Sequence, residues 1–237
     1  MQISMHNWMR AEPIEDTIAR LARCGYDAIE ISGEPERYDT KHVRKLLQDH
    51  KLTCWGSVTL MLADRDLLAK DEAQRAASVK YVRDCITMVK ELGGVEITIV
   101  PSTVGKIKPQ GRPDEEWQWA VDSLKSCYAH GQREGVRLAI EPLNRFETYF
   151  LNRHDQALAL AKEVGPECGV CIDVFHMNIE EQDMYQAIRL LSATWKSTRR
   201  PLQLRIAWYM SFSSMFMWNT STQTPHSGPT SLASASA

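Results

Sequence analysis

The chain of 237 residues is 43% hydrophobic and 24% charged, with 28 basic side chains against 30 acidic ones. It can bury a substantial core, and its near-neutral balance offers neither a basic footprint for nucleic acid nor an acidic disordered tract. No apolar run is long enough to span a membrane and no charged-then-apolar leader follows Met1, so a cytoplasmic address is expected.

Short apolar runs with strand character recur at 3–6, 28–32, 52–57, 95–100, 136–141 and 169–173. Longer segments of helical period lie between and after them, at about 13–24, 40–50, 72–92, 114–134, 153–164 and 180–191. In the first helix Ile14, Ile18, Leu21 and Ala22 recur at steps of three and four, with Pro13 at its start. Gly25, Gly93, Gly94, Gly135 and Gly165 close several helices where a left-handed cap is wanted. The pattern reads as a βα unit repeated six times, which requires parallel strands joined by right-handed crossovers. A doubly wound nucleotide binder would carry a glycine-rich loop after its first strand, but here that strand leads into His6-Asn7-Trp8-Met9-Arg10. The expected fold is therefore α/β, a TIM (β/α)8-type barrel represented by about six βα units and an atypical tail.

The charge is divided along the chain. Every Asp and Glu lies at or before Asp183, so residues 1–183 carry 23 basic and 30 acidic side chains and the last 54 carry five basic and none acidic. Residues 1–190 are expected to form the partial barrel domain, and residues 191–237 a low-complexity, partly disordered tail. Within that tail, 202–217 is apolar and aromatic and could make one strand or helix covering an open sheet edge. The abrupt change near residue 190 points to a different coding origin for the C-terminus, such as a shifted reading frame, a retained intron or an alternative exon.

The six cysteines are scattered through apolar stretches, as in a reducing compartment, and the Cys168/Cys171 pair sits in a strand-like run that favours a structural role. Trp117 and Trp119 are expected to pack at the start of the fourth helix rather than line a pocket. The acids that open helices (Glu15 and Asp16, Asp71 and Glu72, Asp114 to Glu116) read as complements to helix dipoles. His154 is expected on the surface or in a loop. His6 and Glu30 are weak pocket candidates.

In a parallel barrel the chemistry sits at the carboxyl ends of the strands. There the fifth run ends on Glu141 and the sixth on Asp173. A carboxylate closing an apolar strand is costly to bury unless it is paired or binds a metal. Either acid alone is more readily satisfied by an arginine or by loop amides, but two at equivalent positions of consecutive strands reverse that preference and suit a hard divalent cation.

The segments EPLNRFE (141–147) and DVFHMNIEE (173–181) closely resemble the sugar phosphate isomerase/epimerase family of xylose isomerase-like barrels, which includes the ketose 3-epimerases of tagatose or psicose type. The loop VPSTVGK (100–106) joins the resemblance, which covers about residues 1–190. It implies that Glu141 is both a metal ligand and an acid/base carboxylate, that Asp173 is a second ligand, and that Glu147 and His176 contact sugar oxygens. It implies a divalent metal, manganese with cobalt or magnesium as substitutes. It further implies a small-molecule ketose or sugar phosphate as substrate, with proton transfer through an enediolate stabilised by the metal as a Lewis acid. No nucleic-acid or membrane partner is expected, and a homo-oligomer is compatible with the sequence.

The resemblance also implies a ligand His on strand seven and a ligand Glu on strand eight, the latter a second acid/base. No acid follows Asp183, and the one later histidine, His226, stands in a turn-rich context. Weak metal binding and little turnover are therefore expected. A non-catalytic remnant that binds a sugar or a partner is the alternative. A zinc-dependent AP endonuclease of the same barrel class would bring several His ligands and a basic face, and the sequence has neither.

Overall fold

The computed structural model describes residues 3–8, 11–196 and 206–207. Most of the 191–237 tail, including His226, lies outside these residues.

Six strands, β1 (Ser4–His6), β2 (Ala28–Ser32), β3 (Thr53–Val58), β4 (Glu96–Ile99), β5 (Arg137–Ile140) and β6 (Gly169–Val170), form one sheet in chain order. Every pairing is parallel. The helices α1 (Ile14–Arg23), α2 (Thr40–Asp49), α3 (Glu72–Leu92), α4 (Pro113–Glu134) and α5 (His154–Val164) supply the crossovers. The alternation read from the sequence is thus realised in its first five units nearly residue for residue.

The core lies between sheet and helices. Ile29, Ile31 and Cys54 pack with Ile18 and Leu21 of α1, Val43 and Leu47 of α2, and Met88 and Leu92 of α3. Ile97, Ile99, Leu138 and Ile140 pack with α3, α4 and α5. Because side chains alternate along a strand, Glu30, Ser32, Thr98 and Ala139 face the other way, into the barrel, and Glu141 continues that alternation just past the end of β5. Gly56 is required by a close approach, since a Cβ there would stand 2.0 Å from the Glu96 carbonyl oxygen. Gly93 and Gly135 close α3 and α4 in the left-handed region, at φ 81° and 72°. Gly165 does not: its φ of 169° is extended, and what excludes a side chain there is the Tyr128 ring, 2.5 Å from the Cβ position.

The sixth unit departs from expectation. The run 169–173 is divided at Cys171 into β6 and β7 (Ile172–Asp173), although the Cys171 amide still donates to the Ile140 carbonyl at 2.9 Å. A short helix α6 (Val174–Glu180) follows at once, because Asp173 caps it by accepting from the Phe175 amide at 2.7 Å. The helix expected at 180–191 instead starts after Asp183, which accepts from the Gln186 amide at 3.0 Å, and runs as α7 (Met184–Lys196). Ile172 packs with Met177, Ala187 and Leu191 of these helices, which turns Asp173 inward. A further strand, β8 (Ile206–Ala207), pairs in parallel with β7, so the parallel succession continues past the sixth strand.

The structural reading of the cysteines holds: five are buried and only Cys24 is exposed. Trp117 and Trp119 pack against the main core; Trp117 donates to Glu163 at 2.9 Å and Arg75 lies 4.9 Å over the Trp119 ring. His154 is a correction, since it is buried with its imidazole against the Glu181 carboxylate, 2.5 Å away. No helix among the described residues is long and apolar enough to cross a membrane.

Candidate metal and sugar site

Glu141 is fixed directly after β5, where its amide donates to the Ile99 carbonyl at 3.0 Å. Asp173 ends β7 on the neighbouring unit, and His176 lies one turn into α6. The three converge: one ligand-type atom from each of Glu141, Asp173 and His176 lies within 4.8 Å of the others. Their residues are only 5%, 1% and 5% exposed, so charge placed here is largely removed from water.

Burial is the largest influence on the Asp173 carboxyl and pushes it upward. The Phe175 and His176 amides act against that shift, and nearby Glu147 adds to it. Asp173 Oδ1 is occupied by the Phe175 amide, whereas Oδ2 is buried and takes no hydrogen bond among the described residues. Among the described residues the nearest cationic-type atom is His176 Nε2 at 3.8 Å. Burial pushes the His176 ring down to about 4, so the imidazole is neutral at neutral pH. An orphaned carboxylate oxygen beside a second buried carboxylate fits a hard divalent cation, and Glu141 and Asp173 are the oxygen donors that would hold it.

Glu147 joins through an intermediary. Asn144 Nδ2 stands 2.9 Å from Glu147 Oε1 and 2.8 Å from His176 Nδ1, and the Asn144 amide N is 3.2 Å from the same Nδ1. Burial raises the Glu147 carboxyl, and the Asn144 bond opposes that shift. The loop carrying these residues is tied down on both sides. Arg145 forks onto Glu180 with two bonds of 2.9 Å, and the Arg145 amide donates to Glu180 Oε1 at 2.7 Å. On the other side Gly105 donates to the Glu147 carbonyl at 2.7 Å, and Tyr149 donates to the Lys106 carbonyl at 3.2 Å.

Lys106 in turn is buried on Asp66, 2.6 Å away, with Glu116 at 3.9 Å. Glu116 is more than a helix-dipole complement, which corrects the expectation for that acid. It is 1% exposed, accepts from the Gln110 amide at 2.7 Å and receives the Tyr149 hydroxyl.

The structure therefore brings together Glu141, Asp173 and His176, and links Glu147 to them through Asn144. His6 lies instead against Trp8, ring centroids 4.6 Å apart, and Glu30 is buried in the barrel; neither belongs to the three-residue cluster. Sequence reasoning missed Asn144, Arg145, Glu180, Glu181 and Lys106 as supports. All five stood inside the quoted segments, but a pairing across 35 residues, such as Arg145 with Glu180, has no local signal.

A parallel α/β barrel with buried carboxylates at the carboxyl ends of β5 and β7 is the class of protein that this fold and site define. The chain belongs to the xylose isomerase-like TIM barrel family, whose model matches residues 18–202. It is similar to the L-ribulose 3-epimerase of Mesorhizobium japonicum, 30% identical over 178 residues, which is 74% of this chain and 60% of that protein. It is also similar to the ketose 3-epimerase of Arthrobacter globiformis, 29% identical over 187 residues, 75% of this chain and 62% of that one. Among solved structures, the D-allulose 3-epimerase of Methylomonas sp. in complex with D-allulose matches with a TM-score of 0.74 and 28% identity, over 81% of this chain and 69% of that one. The chain spans about 60% of the length of the first two curated relatives it matches.

Proposed function

We propose that the chain binds a ketose or sugar phosphate at the carboxyl face of the barrel, with a divalent metal, manganese by preference, held by Glu141 and Asp173. The observation that carries this reading is the convergence of Glu141, Asp173 and His176 in a buried cluster. The similarity to ketose 3-epimerases supports the substrate class. Bound there, the cation would act as a Lewis acid on adjacent sugar oxygens.

The residues of the chain divide the remaining work. Glu141 takes the proton from the carbon beside the carbonyl and returns it. His176 and Glu147 hold sugar oxygens. Inverting a carbon needs a second acid/base on the opposite face, and residues 184–237 contain no Asp or Glu to serve as one. One base on one face returns the proton to the side it left, so the chain exchanges hydrogen with solvent far faster than it epimerises.

The test is to incubate the protein with a D-ketose and manganese in deuterium oxide and follow the proton beside the carbonyl by NMR. The expected outcome is slow deuterium incorporation without new epimer, abolished by Glu141→Gln. Incorporation no faster than a protein-free blank refutes catalysis and favours a second reading, a barrel that binds a sugar or a partner without turnover. Ordinary epimerase turnover refutes the single-base assignment.

A further inference from the structure

We infer that Asn144 is a positioning residue that sets the tautomer of His176, making its Nε2 a hydrogen-bond donor toward the sugar, while the same amide holds Glu147 as an acceptor. The inference rests on the reading above, in which His176 and Glu147 contact sugar oxygens.

Some of the atoms that face the His176 ring have only one role. A backbone N–H can donate but not accept. The Asn144 amide faces His176 Nδ1 at 3.2 Å, so that ring nitrogen is an acceptor and carries no proton. The Phe146 amide faces Asn144 Oδ1 at 2.9 Å, which fixes the orientation of the side-chain amide: its oxygen is turned to Phe146 and its nitrogen to His176 and Glu147. Asn144 Nδ2 has two hydrogens, and it has two acceptors, His176 Nδ1 at 2.8 Å and Glu147 Oε1 at 2.9 Å. Nδ1 thus receives two donors, and a neutral imidazole so arranged must carry its hydrogen on Nε2.

The consequence concerns chemistry as well as order. A protonated Nε2 has no lone pair for a cation, so His176 is excluded from the metal despite its place in the cluster. It offers a donor, suited to a carbonyl or hydroxyl oxygen. Glu147 offers an acceptor, suited to a hydroxyl. One amide therefore presents a donor and an acceptor together, the complement of a ketone flanked by a hydroxyl group.

Long-range proton–nitrogen correlation spectra of nitrogen-15-labelled protein at neutral pH read the tautomer directly and require no activity. The His176 ring is assigned by its loss in His176→Gln. The wild type is expected to show His176 neutral and protonated at Nε2; a ring protonated at Nδ1 overturns the proposal by itself. In Asn144→Asp the carboxylate can only accept, and the proton population on Nδ1 is expected to rise above half. In Asn144→Ala, which guards against a misfolded Asp variant, only the backbone amide at 3.2 Å still donates to Nδ1, so Nε2 is expected to stay the main protonated site with a measurable minor population protonated at Nδ1. If the folded variants keep the wild-type pattern, the side chain does not position the ring and the proposal fails. Absence of deuterium exchange with an Nε2-protonated ring would count against the proposed reaction and leave the role of Asn144 standing.

Discussion

Lys106→Met probes the support beneath Glu147. The ammonium is buried at 9% side-chain exposure, 2.6 Å from Asp66 at 3% and 3.9 Å from Glu116 at 1%. Removing one partner of a buried pair strands the other charge, which costs about 3–5 kcal/mol. The two acids fare differently. Glu116 keeps the Gln110 and Gly111 amides and the Tyr149 hydroxyl, whereas Asp66 keeps for Oδ1 the Leu68 amide at 3.1 Å and loses the partner of Oδ2. The cost should therefore fall mainly on Asp66, and adding Asp66→Asn to Lys106→Met should recover roughly half of it, about 2 kcal/mol. At about 2–4 °C per kcal/mol for a domain of this size, Lys106→Met lowers the melting temperature by about 6–20 °C. Thermal and urea unfolding followed by far-UV circular dichroism measures it. A Lys106→Met protein within about 1 kcal/mol of wild type would refute the reasoning, because it would mean that the site is wet enough to solvate Asp66.

Two further outcomes follow from packing. Cys85, Cys127 and Cys168 are buried thiols pushed up to about 12 by desolvation, and Cys54 and Cys171 are buried too, so at pH 8 a disulfide reagent should titrate one thiol, Cys24, until denaturant is added. Rapid reaction of more than one thiol in the native protein counts against the core described. Gly56→Ala places a Cβ 2.0 Å from the Glu96 carbonyl oxygen and should cost about 3 kcal/mol by forcing β3 from β4; urea midpoints equal to wild type would contradict that contact.

The fold was legible because its signals are periodic and local. Apolar strand runs, helical steps of three and four and glycine caps at Gly93 and Gly135 each act within a few residues. The sixth unit was not, because a side-chain cap overrode periodicity: Asp173 both ends β7 and starts α6, so the expected strand and helix boundaries moved. In the site, Glu141 and Asp173 were visible as acids closing apolar strands, and Glu147 and His176 only through resemblance. The polar supports escaped notice for a physical reason. Asn144 matters through the directions of the Asn144 and Phe146 backbone amides, Lys106 through burial against Asp66, and neither direction nor burial is written in residue type.

Paramagnetic resonance titration of the protein with manganese tests the central claim most directly. With Glu141 and Asp173 as the two proposed protein ligands and His176 withheld, one site per chain is expected, with a dissociation constant on the order of 0.1–1 mM, the range of oxygen sites poor in charged ligands. Binding should be lost in Glu141→Gln and in Asp173→Asn and kept in His176→Gln. Micromolar binding that survives both carboxylate substitutions, or that vanishes with His176→Gln, would contradict it.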